Sequence, residues 1–157
     1  MVCHTTATVL PVKRKLANYP AVARSPPDFR GPKTRTVARC ATSTYPPPMV
    51  GGDPRPLAGV TVVDLTRVLA GPYCTLILAN LGARVIKVER PPLGDDARLI
   101  GPFVGGKSLY FAALNYGKES IALELRRDED RAIFESLLGA ADVLVENFRP
   151  GVLERLG

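Results

Sequence analysis

The sequence predicts an α/β fold with a mainly parallel sheet. Three observations predict it: a short β-branched apolar run from Val60 to Leu65, an apolar segment opened by Gly71-Pro72 and closed by Gly82, and an alternating run from Arg84 to Glu89. In that order they make strand, helix and strand, a βαβ unit over Pro56–Arg90 whose two strands must run parallel.

Each element has its own reason. Val60 to Leu65 carries apolar side chains on both faces, as a strand buried in a parallel sheet does. Pro72 suits the first helical position, because its φ is preset and it has no N–H to satisfy; the helix is therefore expected from Tyr73 to Leu81. Its residues are apolar on nearly every face, which predicts a helix deep in the domain. Gly82 can take the left-handed conformation that ends a helix. The crossover is expected to be right-handed, and ligands of such sheets bind beyond the carboxyl ends of the strands, here Thr66 to Gly71 and Arg90 to Gly94.

Downstream, PPLGDDARLIGPFVGGKS after Arg90 is rich in Gly and Pro, has no period and is read as a functional loop. Ser108 to Leu114 has strand-like aromatics, and Ser120 to Leu125 alternates with a period of two, which makes another strand after a turn at Asn115 to Lys118. Asp128 is expected to cap a helix whose stripe is Ile133, Leu137 and Ala141, with Phe134 and Leu138 beside it. Asp142 to Glu146 is the next buried strand. NFRPG then opens a further helix, Val152 to Leu156, which makes the fold a truncated, Rossmann-like N-terminal segment.

Charge divides the 157 residues into two parts. Residues 1–55 hold 9 Lys+Arg against 2 Asp+Glu and 9 of the 15 prolines; the remainder, 56–157, has 12 basic and 13 acidic side chains, a balance of −1. The pI near 9.5 therefore belongs to the first segment, and a nucleic-acid partner is not expected. That segment reads as a basic, Pro-rich, disordered leader or linker. Its acid-poor composition fits an organellar transit peptide and so a mitochondrial location, with a cytoplasmic one as the alternative. Pro20, Pro26, Pro27 and Pro32 interrupt any long amphipathic helix there, and a disordered tail or a stretch upstream of a wrongly assigned start fits as well. Cys3, Cys40 and Cys74 form no CxxC, so neither a disulfide scaffold nor a zinc site is expected. No apolar run approaches the ~20 residues that span a bilayer, and no membrane association is expected.

Chemistry follows from position. TRVLAGP has only Gly71 where a dinucleotide turn needs G-x-G-x-x-G, and no GxxxxGK[ST] occurs, so NAD and P-loop readings fall. Arg90 sits just past a strand end, where a guanidinium can hold a phosphate bidentately, and Asn147 and Phe148 take the equivalent place after DVLVE. An amide and a stacking face together suit an adenine-bearing ligand. A solvated arginine and an ordinary N-cap at Asn147 account for the same positions. His4 lies in the leader, away from any catalytic role. Asp64, Asp95, Asp96 and Glu146 make no acid pair by spacing and are read as structural, and Cys74, inside the helix, as inert.

DLTRVLAGPYCTLILANLGARVIKVERP, GDDAR, SLYFAALNYGKESIAL and DVLVENFRPGVLERLG, in that order and spacing, resemble the start of the family III CoA-transferases over Pro56 to Gly157. The resemblance implies CoA contacts around Leu69 and Ala70, at Arg90, at Leu123 and Arg126, at Asn147 and Phe148, and at Arg155. Arg126 stands where many relatives have lysine, which keeps the charge and changes the hydrogen-bond geometry. The resemblance also implies CoA and acyl-CoA as substrates with no further cofactor or metal, a small carboxylic acid as co-substrate, and an interlocked homodimer. The family's catalytic aspartate lies in a motif beyond residue 157. By this likeness the chain is an N-terminal fragment, inactive alone and without a catalytic residue of its own. α-Methylacyl-CoA racemase shares the opening motifs and is the alternative, although the length of SLYFAALNYGKESI and ENFRPG favour the transferase; a non-catalytic CoA-binding or interaction module is the other.

Overall fold

The computed structural model describes residues 7–12, 38–39 and 55–156. Their strands are β1 (Thr8–Pro11), β2 (Ala38–Arg39), β3 (Thr61–Asp64), β4 (Arg84–Glu89), β5 (Phe103–Val104), β6 (Lys107–Ser108), β7 (Glu119–Ala122) and β8 (Val143–Glu146). The α-helices among the described residues include α1 (Ala70–Asn80), α2 (Leu109–Asn115) and α3 (Asp128–Ala140). The main sheet has the order β1-β8-β3-β4-β7-β2, and β5 and β6 form a separate hairpin.

The four central strands are parallel. β3 pairs with β4 and with β8, and β4 pairs with β7. The chain first moves outward on one side, β3 to β4 to β7, and then crosses through α3 to place β8 on the other flank of β3. The strand order therefore reverses between β3 and β8, the position where open α/β sheets leave a crevice for ligands.

The two faces of the sheet differ. Val63, Leu65, Ile86, Val88, Ile121, Leu123 and Leu144 form one apolar core with Phe134 and Ala141, and Ile133, Leu137 and Leu138 of α3 pack on it, which is the stripe read from the sequence. On the opposite face Val62, Val85 and Val145 meet Leu78 and Ala79 of α1. Toward the strands' carboxyl ends that second face turns polar: Asp64 lies beside Lys87 in register, and Lys87 beside Ser120.

Several expectations need correction. Helix α1 starts at Ala70, two residues before Pro72, and the proline fits inside the first turn because those N–H groups have no intrahelical acceptor. Nor is α1 deep. Gly71, Pro72 and Thr75 are buried, whereas Tyr73 and Ile77 are 54% and 44% exposed; uniform apolarity left the inward face unmarked, and the small residues at 71 and 75 define it. Gly82 ends the helix with φ +104°, as expected, its N–H bonded to Ala79 O while Ala83 N–H reaches Leu78 O.

The strand expected over Ser108 to Leu114 is instead a helix from Leu109 onward. The Ser108 hydroxyl accepts from Phe111 N at 3.0 Å and caps α2, and the buried residues Phe111, Leu114 and Asn115 follow at helical spacing. The segment after Arg90 is not structureless, because it forms a 3-10 helix at Asp96–Leu99 and the β5–β6 hairpin. Asp128 is the first residue of α3 rather than its cap; Arg127 holds the cap position without a side-chain bond, and the buried Asp130 carboxylate accepts from Glu124 N at 2.8 Å. After β8 the chain makes a 3-10 turn at Glu154–Leu156 where the sequence suggested a longer helix.

Two pieces of the basic segment pair with the sheet edges, β1 antiparallel to β8 and β2 antiparallel to β7, and Val12 enters the core. The remaining residues of the segment lie outside those described, and so does the transit-peptide reading. Among the described residues no helix is long and apolar enough to cross a membrane.

Candidate functional site

All four parallel strands end at the same edge of the sheet, and their following loops carry most of the positions singled out from the sequence. Leu69 and Ala70 follow β3 and are exposed; Arg90 follows β4 and is exposed; Arg126 follows β7 and is exposed; Asn147 and Phe148 follow β8 and are half-buried. The loops after β3 and β8 flank the point where the strand order reverses. Leu123 differs: its side chain is 1% exposed in the core and its N–H bonds to Glu89 O at 2.9 Å. Arg155 lies exposed in the last 3-10 turn.

A network of buried charges underlies this edge. Lys118 Nζ lies 3.1 Å from Asp64 Oδ2 and donates to Pro72 O, Thr75 Oγ1 and Asn115 Oδ1 at 2.7–2.9 Å. Asp64 also accepts from Thr66 N and Oγ1 and from Thr75 Oγ1. Lys87 Nζ donates to Thr66 O at 2.7 Å and faces Asp95 Oδ2 at 2.8 Å, an ion pair whose alignment is not that of a hydrogen bond. Two lysines and two aspartates are thus interleaved, which a dry interior requires. Burial, followed by the charge of Lys87, pulls the Lys118 ammonium down to about 8 against the attraction of Asp64. Burial opposes the charge of Asp64, but Lys87, Lys118 and the two threonine hydroxyls hold its carboxyl below the usual range.

A second carboxylate organises the loop after β4. Glu89 accepts from both Nε and Nη2 of Arg98 at 2.7 Å, from Ser120 Oγ at 2.6 Å and from Asp95 N at 3.0 Å. Burial disfavours its charge, yet these donors bring it down to about 2. Arg98 in turn stacks over the Phe111 ring, 3.7 Å from its centroid.

The loop after β3 is tied to both neighbours. Asn147 matches one peptide residue twice, Oδ1 accepting from Arg67 N at 3.0 Å and Nδ2 donating to Arg67 O at 2.9 Å. Asp95 Oδ1 accepts from Val68 N at 3.0 Å and from Ala97 N at 2.9 Å. Arg67 also pairs with Asp96 at 2.7 Å on the surface. Val68 itself has φ +70°, a left-handed backbone that a β-branched residue avoids unless its surroundings impose it.

Residues 57–157 match the profile of CoA-transferase family III. The chain belongs to that family. It is 59% identical over 102 residues to an acetyl-CoA:oxalate CoA-transferase of Acetobacter aceti, covering 65% of this chain and 26% of the relative. It is 50% identical over 104 residues to a succinyl-CoA:glutarate CoA-transferase of Homo sapiens, covering 66% and 24%. A CAIB/BAIF family protein from Brucella suis superposes with a TM-score of 0.60 at 46% identity, over 64% of this chain and 28% of that one. The chain thus spans about a quarter of the length of the curated relatives it matches.

Within this family segment the sequence reading located the loops and missed what holds them. Asp64, Asp95, Asp96 and Glu146, read as structural, each hold a partner within the chain: Asp64 and Asp95 face lysines, Asp96 pairs with Arg67, and Glu146 Oε2 accepts from Phe148 N at 2.7 Å. Lys87, Lys118, Thr75 and Val68 went unnoticed. One signal was present, since a lysine inside the buried strand RVIKVE needs a counter-charge nearby.

Proposed function

We propose that this chain forms part of the CoA site of an enzyme that moves CoA between an acyl-CoA and a small carboxylic acid. The observation that carries the proposal is the single carboxyl edge: Leu69, Ala70, Asn147 and Phe148 flank the β3–β8 reversal, and Arg90 and Arg126 follow β4 and β7 farther along the same edge. Relatives named as acetyl-CoA:oxalate and succinyl-CoA:glutarate CoA-transferases support the substrate class. Arg90 would hold a phosphate of CoA, Phe148 would offer the adenine a stacking face, and the start of α1, which no side chain caps, would favour negative charge. The same reading makes the assembled enzyme a homodimer.

Among the described residues, five carboxylates at this edge suit support rather than attack. Around this edge Asp64, Glu89, Asp95, Asp96 and Glu146 each engage a cation, a hydroxyl or a backbone N–H. A carboxylate nucleophile needs to be free to form a bond with the acyl carbon. The 157 residues are therefore expected to bind CoA without transferring it. The test is a turnover assay of the purified chain with succinyl-CoA or acetyl-CoA and a dicarboxylic acid acceptor, beside calorimetric titration with CoA. Binding without turnover supports the proposal; time-dependent transfer above a no-protein control contradicts the non-catalytic part, and absence of CoA binding contradicts the whole.

A further inference from the structure

The loop after β3 carries Leu69 and Ala70, yet its shape is not set by its own sequence. Its central residue, Val68, adopts φ +70°, and left alone a valine would leave that conformation. Two side chains from other loops oppose this. From the loop after β8, Asn147 binds both the N–H and the C=O of Arg67; from the loop after β4, Asp95 binds the N–H of Val68. The arms are themselves fixed: Asp95 is 2% exposed, its Oδ1 also takes Ala97 N, its Oδ2 faces Lys87, and its own N–H is held by Glu89.

We propose that Asp95 and Asn147 are positioning residues: together they hold the Arg67–Val68 turn in its left-handed form and thereby present Leu69, Ala70 and the start of α1 to CoA. The inference rests on the reading of this edge as the CoA site and deepens it. Asn147 then acts through the backbone of Arg67, because its carbonyl oxygen and one amide hydrogen are already directed there. The three loops at the strand reversal form one unit, so a change at the end of β8 is felt at the end of β3.

A rescue experiment separates this role from direct contact. Asp95→Ala would strip Lys87 of its facing charge and endanger folding, so the informative variants are Asn147→Ala, Val68→Gly and the two combined. Glycine enters the left-handed region without steric cost, so less of the holding falls to Asn147. Calorimetric titration of the 157-residue chain with CoA should show affinity lowered about tenfold by Asn147→Ala, the scale of one or two lost hydrogen bonds. Val68→Gly alone should change it little, and adding Val68→Gly to Asn147→Ala should restore most of the loss. In the ligand-free wild type, the Arg67 and Val68 amides should exchange hydrogen more slowly than those of Gly105 and Gly106, and Asn147→Ala should speed them. An Asn147→Ala loss that Val68→Gly fails to restore would overturn the inference and make Asn147 a direct contact. Equal affinities for wild type and Asn147→Ala would overturn it as well. No CoA binding by the wild type would bring down the proposed function and this inference with it, an outcome distinct from the other two.

Discussion

Lys118 Nζ lies 3.1 Å from Asp64 Oδ2, joining positions 54 residues apart, and both side chains are at most 1% exposed. The pair fastens the turn after α2 to the end of β3, beneath the loop that carries Leu69 and Ala70. Removing one partner of such a pair leaves the other as an uncompensated buried charge, at a cost of about 3–5 kcal/mol. Lys118→Met is expected to lower the free energy of unfolding by that much in urea denaturation. A loss below about 1 kcal/mol, the scale of an exposed ion pair, would show that the pair is solvated.

Glu89 makes stability depend on pH. Its donors hold the carboxyl down to about 2 in the folded chain, below the ordinary 4.5, so the stability it contributes is fully present above pH 4.5 and is lost as pH falls toward 2. Asp64, also lowered, acts with the same sign. Glu89→Gln is expected to be less stable than wild type at pH 7 and to lose stability less steeply between pH 4.5 and 2. Thermal unfolding at a series of pH values measures both; parallel curves for the two proteins would contradict the role of Glu89.

Gly71 and Gly139 should respond to alanine with opposite signs. A Cβ at Gly71 would stand 2.2 Å from Thr66 Cβ, whereas one at Gly139 meets nothing within 4 Å. Gly71→Ala forces α1 away from the end of β3 and is expected to cost about 1–3 kcal/mol or more. Gly139→Ala, on an exposed turn of α3, is expected to stabilise by up to about 1 kcal/mol. Denaturant midpoints compare the two, and a neutral Gly71→Ala would show that the β3–α1 approach is looser than described.

The parts of the fold legible in the sequence are those set by neighbours along the chain. Val62 and Val63, the α1 segment with its Gly82 stop, and the Phe134 stripe of α3 announced themselves through period and punctuation. Ser108 to Leu114 did not, because aromatic residues suit a strand as well as a helix and only the Ser108 cap decides. The edge that gathers the candidate site was legible once the strands were known to be parallel. Its supports were not: Asp64 with Lys118, Asp95 with Val68 and Asn147 with Arg67 are separated by 54, 27 and 80 residues, and no local pattern records such pairings. The strands β1 and β2 escaped for a related reason, since a short edge strand is defined by its partner more than by its own residues.

The most direct test of the CoA site is the affinity of Arg90→Ala for CoA, measured by calorimetric titration beside wild type, Arg90→Lys and Arg84→Ala. Arg90 follows β4 at the carboxyl edge and is exposed; Arg84 begins β4, at the opposite edge, where it pairs with Glu119 at 2.9 Å. Hydrogen bonds to ionised groups contribute about 1.5–3 kcal/mol, so Arg90→Ala should weaken CoA binding by roughly one to two powers of ten. Arg90→Lys should recover part of that loss, because a point charge lacks the guanidinium fork, and Arg84→Ala should change affinity little. Equal affinities for wild type and Arg90→Ala would remove Arg90 from the site and contradict the assignment of CoA to this edge of the sheet.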